Sequence, residues 1–410
     1  MDFEFHFTKE VEDFRKEVQA FIKENAYKEP IVPVDWEFMT PEMYLHGREL
    51  QKKLGAKRWF APAYPKEYGG GGLDVEHCVV IAQEFAAARR ARIWPMNHEV
   101  SPIQTGGIMA QGTPEQKKRY LPKLLSGEWE GWQAFTEPDA GSDEAAMKST
   151  AVRDGDYFII NGDKIFIGEN PYPLHPNYLY WPAVTDPNAP RHENISAFFI
   201  PADLPGIKYE AMKLTCSATG QKWEVWCENV RCPADRLIGQ LNKGWLVTQA
   251  TLALEHGGGG AVIPRSTLIL DLIDYCKNTM RHGKPISNDP LIQDTLVKLY
   301  IEYNTSRLWG LRNFQMSEGI IPRVPYTGTQ TSLLGKRLAP FFGKALLDIL
   351  GPHALLNDPE LALLHADIEY AIRLADVTHP GGTPEVQQIM MARGLGLGRG
   401  ARAGAAPRAH

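Results

Sequence analysis

The densest group of side chains able to do chemistry lies in residues 133–143, Gln-Ala-Phe-Thr-Glu-Pro-Asp-Ala-Gly-Ser-Asp. Thr136 and Ser142 bring hydroxyls, acidic residues flank them, and Pro138 with Ala140-Gly141 makes a tight corner. Such a segment shows backbone N–H groups and hydroxyls instead of burying an apolar face. That is the surface an anionic, ring-bearing cofactor needs. A Ser/Thr-rich turn that merely caps a helix has the same composition. A second position stands out for the opposite reason. Glu255 follows the apolar run Leu246-Val-Thr-Gln-Ala-Thr-Leu-Ala-Leu254 and precedes Gly257–Gly260. A carboxylate in such surroundings is functional, or it is paired near a helix kink. Each glycine inside a helix costs about 1 kcal/mol relative to alanine, so the helix breaks there or backbone approaches a ligand closely.

The elements that must position these residues follow from periodicity. Val11, Phe14, Val18, Phe21 and Ile22 recur at helical spacing over residues 8–24, with Thr8 as the N-cap. Residues 41–54 and 75–92 read as further helices. The Pro- and Gly-broken stretch 59–72 between them reads as an ordered loop. Thr113-Pro-Glu-Gln116 is a helix start with a capping box. From 133 to 240 the pattern changes to short β-branched or aromatic runs (157–160, 196–200, 206–209, 222–226) separated by turn residues. Helical spacing returns over 245–280, 290–318, 329–350, 360–376 and 383–393. The expected architecture is α+β: an N-terminal helical domain (1–132), a middle β-domain (133–240), a C-terminal helical bundle (241–393) and a flexible tail (394–410). No Gly-x-Gly-x-x-Gly joins a strand to a helix, which argues against a doubly wound dinucleotide fold.

The bulk composition narrows the partners. The chain has 410 residues, 43% of them hydrophobic, enough for a large core. A net charge of −5 gives no reason to expect nucleic acid or an anionic membrane. No apolar run approaches the ~20 residues of a membrane span, and the first residues lack the order of a signal peptide, so a cytoplasmic protein is expected. The five cysteines form no Cys-x-x-Cys pair and are expected to be reduced, with no metal bound.

The run Thr136-Glu-Pro-Asp-Ala-Gly-Ser142-Asp143 resembles the flavin-binding signature of the acyl-CoA dehydrogenase family. Other landmarks agree in order and spacing across nearly the whole chain: Pro65-Lys-Glu-Tyr-Gly-Gly70, Gly112-Thr-Pro-Glu-Gln-Lys117, Asn161-Gly-Asp-Lys-Ile-Phe166-Ile167, Gly239–Trp245, Arg281-His-Gly-Lys284 and Gly382-Thr383-Pro-Glu385-Val-Gln387. The resemblance implies FAD as cofactor. Thr136 would donate to the isoalloxazine edge, and Gln133, Phe135 and Thr136 would line the ring. Ser142 would serve the cofactor phosphate or the CoA arm. Phe166 stands where the family usually has Trp, and Gly168 where a second Thr is common. Arg281 would reach a neighbouring subunit's cofactor through its bidentate fork, and Gln293 and Gly351 would also bind the cofactor. Thr383 and Glu385 would serve the adenosine half, although Thr383 is also a good helix N-cap. Gly382 and His256 are expected on the substrate side.

The implied chemistry is α,β-dehydrogenation of an acyl-CoA thioester, with electrons passed to an electron-transfer flavoprotein. The family places its catalytic Glu at one of two positions. One is Gly381 here, which cannot act. The other matches Leu252-Ala-Leu-Glu255-His256, so Glu255 is the expected base, with His379 as second choice. His256 replaces the usual Arg, and a titratable imidazole there alters the pH profile. Asn97-His-Glu99 falls near the expected acyl pocket. The resemblance also implies at least a homodimer, usually a homotetramer. A flavin monooxygenase or oxidase of the same fold is a second reading, against which Glu255 counts. A non-catalytic subunit of a mixed tetramer is a third.

Overall fold

The computed structural model describes residues 7–26, 40–88, 100–168, 174–212, 214, 222–253, 268–317, 319–356, 358, 361–362 and 367–397. The chain divides into two compact units, residues 1–255 and 256–410. Helices open the first: α1 (Lys9–Asn25), α2 (Pro41–Ala56), α3 (Val75–Ala88), α4 (Val100–Gln111) and α5 (Pro114–Leu125). Thr8 caps α1 by accepting from the Val11 amide, as its type predicts. Val11, Val18 and Phe21 then point inward against Leu50, Leu54 and Val80. Arg15, also buried, is matched by Glu84 at 2.5 Å. Thr113 and Gln116 close both halves of the expected capping box on α5. Gln116 also donates to the Leu237 carbonyl at 2.6 Å and so ties this helix to the end of the β-domain.

That β-domain contains β1 (Gly131–Gln133), β2 (Thr150–Asp154), β3 (Tyr157–Ile167), β4 (Tyr178–Val184), β5 (Ile195–Pro201), β6 (Ile207–Met212), β7 (Lys222–Pro233) and β8 (Leu237–Ile238). The strands order as β6-β7-β3-β2-β4-β5-β8, with β1 added parallel to β4. Trp132, Trp181, Trp223, Phe158 and Phe198 fill one core of the domain. Tyr178, Tyr180 and Phe199 join Tyr120 and Leu121 of α5 in another. Strand β4 has no counterpart among the expected strands. Six of its seven residues are buried, so it lacks the alternation that marks a half-exposed strand. Its Pro182 falls between the stretch paired with β1 and the residue paired with β2, where a missing N–H costs no ladder bond. Helix α6 (Gly244–Ala253) closes the unit, packed on α4.

The second unit holds α7 (Leu268–Asn278), a hairpin of β9 (Met280–Arg281) and β10 (Lys284–Pro285), then α8 (Pro290–Ser317), α9 (Thr327–Leu350), α10 (Asp367–Ala375) and α11 (Pro384–Gly394). Leu272, Leu299, Leu346, Ile349 and Ile368 form its core. His282 and Gly283 both have left-handed backbone, the requirement of a two-residue hairpin turn. The order helix, sheet, helix agrees with the α+β expectation. The expected helix over 245–280 is described over 244–253 and 268–278, and 254–267 lie outside the described residues. So do 89–92 and nearly all of the expected tail. No described helix is long and apolar enough to cross a membrane. The four described cysteines are free, while Cys216 lies outside the described residues.

Candidate functional site

Strand β1 delivers the chain to the 133–143 segment, and the Ala134 amide donates to Tyr180 at 2.9 Å. The segment then crosses to β3, where the Ile165 amide donates to the Thr136 carbonyl at 2.9 Å. Glu137 and Ala140 exchange two backbone hydrogen bonds of 3.1 Å, which close the proline corner. Beneath the corner the Glu137 carboxylate accepts from the Lys148 amide (2.6 Å), the Ser149 amide (3.0 Å) and Lys164 Nζ (2.8 Å). Lys164 is wholly buried and also donates to the Phe135 carbonyl at 3.0 Å. Burial works against the Glu137 carboxylate, but Lys164 and the Lys148 amide outweigh it and hold its pKa low. Burial lowers the Lys164 pKa while Glu137 pulls it back. Residues 135, 136 and 137 are therefore each anchored through backbone.

This anchoring leaves the Thr136 hydroxyl half-buried, with no hydrogen-bond partner among the described residues. The Phe135 ring turns into the core beside Tyr180, centroids 4.9 Å apart, so this residue can contribute to a ligand site through its backbone alone. Gln133 is half-buried on β1, and Ser142 is exposed at the end of the corner. Asp143 is drawn to Arg191.

Beyond Ile165 the strand kinks. Phe166 has φ +59°, and its ring is 50% exposed. That is an uncommon backbone state for a bulky residue and a costly exposure for an aromatic one. Its amide faces Met212 Sδ at 3.4 Å. Gly168, at φ +71°, lies against Trp132: a Cβ there would stand 2.5 Å from the indole. Lys222 Nζ holds the Gly168 carbonyl at 3.1 Å. The missing threonine at 168 thus has a physical cause, since neither the backbone nor the space admits a side chain. The bond from the Ile165 amide makes Phe166 the next residue in chain after the backbone partner of Thr136, and a hydroxyl and an exposed aromatic ring are both groups that suit a flat heteroaromatic ring.

In the second unit, an Arg281 guanidinium nitrogen donates to the Ile349 carbonyl, two residues before Gly351 at the end of α9. A cation suits the negative end of a helix, and the remaining guanidinium donors stay available. Gly351 has φ +58° and open space where a Cβ would be. Gln293, in the first turn of α8, is exposed and donates to Ser287 at 2.6 Å. Thr383 caps α11, accepting from Val386 at 3.2 Å and interacting with the exposed Glu385 carboxylate. Gly381 and Gly382 both have left-handed backbone, φ +64° and +80°. His379 is exposed.

Glu255, His256, Gly257–Gly260 and Asn97–Glu99 lie outside the described residues. The described part of α6 leading toward Glu255 is less uniformly apolar inside than its sequence suggests. Thr248 and Thr251 are wholly buried and face the Tyr180 hydroxyl. Among the described residues no His, Cys, Asp or Glu group could hold a metal. Sequence reasoning missed Lys164, Trp132, Lys222, Lys336 and Gln387. Lys164 stands inside the run Asn161–Ile167, and a lysine beside apolar strand residues was the available signal.

Comparison with known proteins agrees along the whole chain. Residues 8–128, 133–229 and 242–396 match, in turn, the N-terminal, middle and C-terminal domains of acyl-CoA dehydrogenases. The acyl-CoA dehydrogenase IpdE1 of Mycobacterium tuberculosis is 28% identical, the match spanning 96% of this chain and 99% of that one. The acyl-CoA dehydrogenase FadE29 of the same organism is 32% identical over 85% of this chain and 88% of its own. Among solved structures, the Tcur3481-Tcur3483 steroid ACAD superposes with a TM-score of 0.76 at 28% identity, covering 97% of this chain and 100% of that one.

Proposed function

Because the chain belongs to the acyl-CoA dehydrogenase family, we propose that this oxidoreductase converts an acyl-CoA thioester to its 2-enoyl-CoA and passes the electrons to an electron-transfer flavoprotein. FAD fits the residues present. Thr136 offers a hydroxyl with no other described partner, and Phe166 offers an open ring face. Arg281 would hold the pyrophosphate of a neighbouring subunit's cofactor. When bound, FAD supplies the acceptor for the β-hydrogen, which leaves as hydride. The protein's own task is to remove the α-proton and to stabilise charge on the thioester oxygen as that proton goes.

The observation that supports the base assignment is at Gly381 and Gly382. Neither carries a side chain, and their left-handed backbone favours glycine there. The proton then goes to the carboxylate of Glu255, whose apolar surroundings in sequence would raise its pKa toward neutral. His256 beside it suits the substrate side. Relatives named for steroid and glutaryl substrates make a branched, cyclic or dicarboxylic acyl group the first to try. Anaerobic addition of the right acyl-CoA bleaches the oxidised flavin, and Glu255→Gln abolishes the bleaching. Bleaching at an undiminished rate in that variant would remove Glu255 as base.

A further inference from the structure

Between α10 and α11 the chain makes the turn Thr378-His-Pro-Gly-Gly-Thr383, and three of its carbonyls are held by side chains. Lys336, projecting from α9, donates through Nζ to the Thr378 carbonyl at 2.6 Å and to the Pro380 carbonyl at 2.7 Å. Gln387, wholly buried on α11, donates through Nε2 to the Gly381 carbonyl at 2.6 Å. A trans peptide unit points its C=O and its N–H in opposite directions. The Pro380 carbonyl shares its plane with the Gly381 N–H, and the Gly381 carbonyl shares its plane with the Gly382 N–H. Holding the two carbonyls inward therefore aims the two N–H groups outward. Neither of these amides, nor that of Thr383, has a partner among the described residues. All three lie at the start of an eleven-residue helix, whose dipole favours negative charge at that end.

We propose that Lys336 is a positioning residue, which with Gln387 holds the Gly381–Gly382 turn so that the Gly381 N–H is a preorganised donor to the thioester carbonyl oxygen. This rests on the acyl-CoA reading above. A turn of two glycines has little stiffness of its own, because glycine reaches left-handed backbone and other states with equal ease. A donor aimed by such a turn gives electrostatic stabilisation only if something else pays its ordering cost in advance. The Lys336 ammonium does so by spanning two carbonyls at once. Burial lowers the pKa of Lys336, consistent with an ammonium that has exchanged water for those carbonyls. Here position 381 supplies backbone alone, and the base sits elsewhere.

The test uses the full-length holoenzyme with Lys336→Met and Lys336→Arg. The first measurement is the rate at which proteinase K cuts within 378–383. In Lys336→Met cleavage there rises at least about 10-fold while α9 and α11 stay intact. In Lys336→Arg, whose fork can span both carbonyls, most resistance returns. The second is steady-state kinetics with the acyl-CoA that bleaches the wild type. Losing an oxyanion donor typically costs 10²–10³ in kcat, and a loosened one should cost roughly 10-fold or more, with KM little changed. Unchanged cleavage at 378–383 overturns the clamp. Faster cleavage with unchanged kcat overturns its link to the thioester oxygen. If no acyl-CoA reduces even the wild type, the parent reading fails, and the cleavage result still decides the clamp. If Lys336→Met does not fold, Lys336→Gln, a neutral donor able to reach one carbonyl, takes its place.

Discussion

Lys164 is the side chain that ties down the corner proposed to hold the flavin. It is wholly buried, and its ammonium is shared between the Glu137 carboxylate and the Phe135 carbonyl on either side of Thr136. Removing one partner of such a pair strands the other charge, at a cost of about 3–5 kcal/mol. Lys164→Met should therefore lower the unfolding free energy by that order and purify with little FAD. Denaturant unfolding and the flavin absorbance of the purified protein check both parts; full FAD occupancy would show that the corner does not need the pair. Gly168 makes the complementary case. Gly168→Thr would restore a hydroxyl common in the family. It must also adopt left-handed backbone, at roughly 1–2 kcal/mol, and displace Trp132. The expected result is a less stable protein with no tighter flavin, read by thermal unfolding and FAD titration. The motif containing Thr136, Glu137 and Lys164 was legible in the sequence. The reason for Gly168 was not, because Trp132 lies thirty-six positions earlier and meets it through the fold.

At the scale of elements, the pairing of β3 with β7 sets two carboxyls against each other. Asp163 lies beside Glu224 on the neighbouring strand, and its pKa rises from an ordinary 3.8 to about 6. Burial is the larger cause, and the proximity and hydrogen bond of Glu224 add to it. A carboxyl whose folded pKa is raised contributes its stability in full below the unfolded pKa and loses it as pH climbs through the folded one. The window here runs from about 4 to about 6. Above it, the ionised Asp163 faces Glu224 and weighs against the sheet. Asp163→Asn should leave the melting temperature nearly unchanged at pH 4 and raise it at pH 7.5. Equal offsets at the two pH values would mean that the proton is not shared. Elements with a strong repeat, such as α1 with its Thr8 cap and α5 with its capping box, were readable in advance. Strand β4 was not, because burial on both faces erases alternation and Pro182 reads as a breaker until its gap between β1 and β2 is seen.

For the whole molecule, the helix–sheet–helix order was legible from the change of periodicity near 133 and again near 244. What the surfaces are for was not, since an exposed face is known only after folding. Helix α8 carries Val297, Ile301 and Leu308, each about half exposed or more, at spacings that align them on one stripe. Tyr300 flanks the stripe, and an open cleft of about 390 Å³ lies beside it, where Lys298, Ile301 and Glu302 meet Arg337, Leu338 and Phe341. Exposed apolar residues aligned on one helix face, here interrupted by Asn304 and Thr305 and rimmed by charge, are characteristic of a protein contact. A second copy of the chain is the occupant that also makes sense of Arg281, whose proposed pyrophosphate belongs to a neighbouring subunit. The double substitution Val297→Glu and Ile301→Glu places two carboxylates in that face. Sedimentation should then show a smaller species than the wild type. If Arg281 serves a partner's cofactor, FAD occupancy should fall in step with the loss of assembly, although neither substituted residue is among those proposed to hold the cofactor. A smaller species that keeps all its FAD would make each subunit's flavin site self-sufficient and leave Arg281 a role within its own chain.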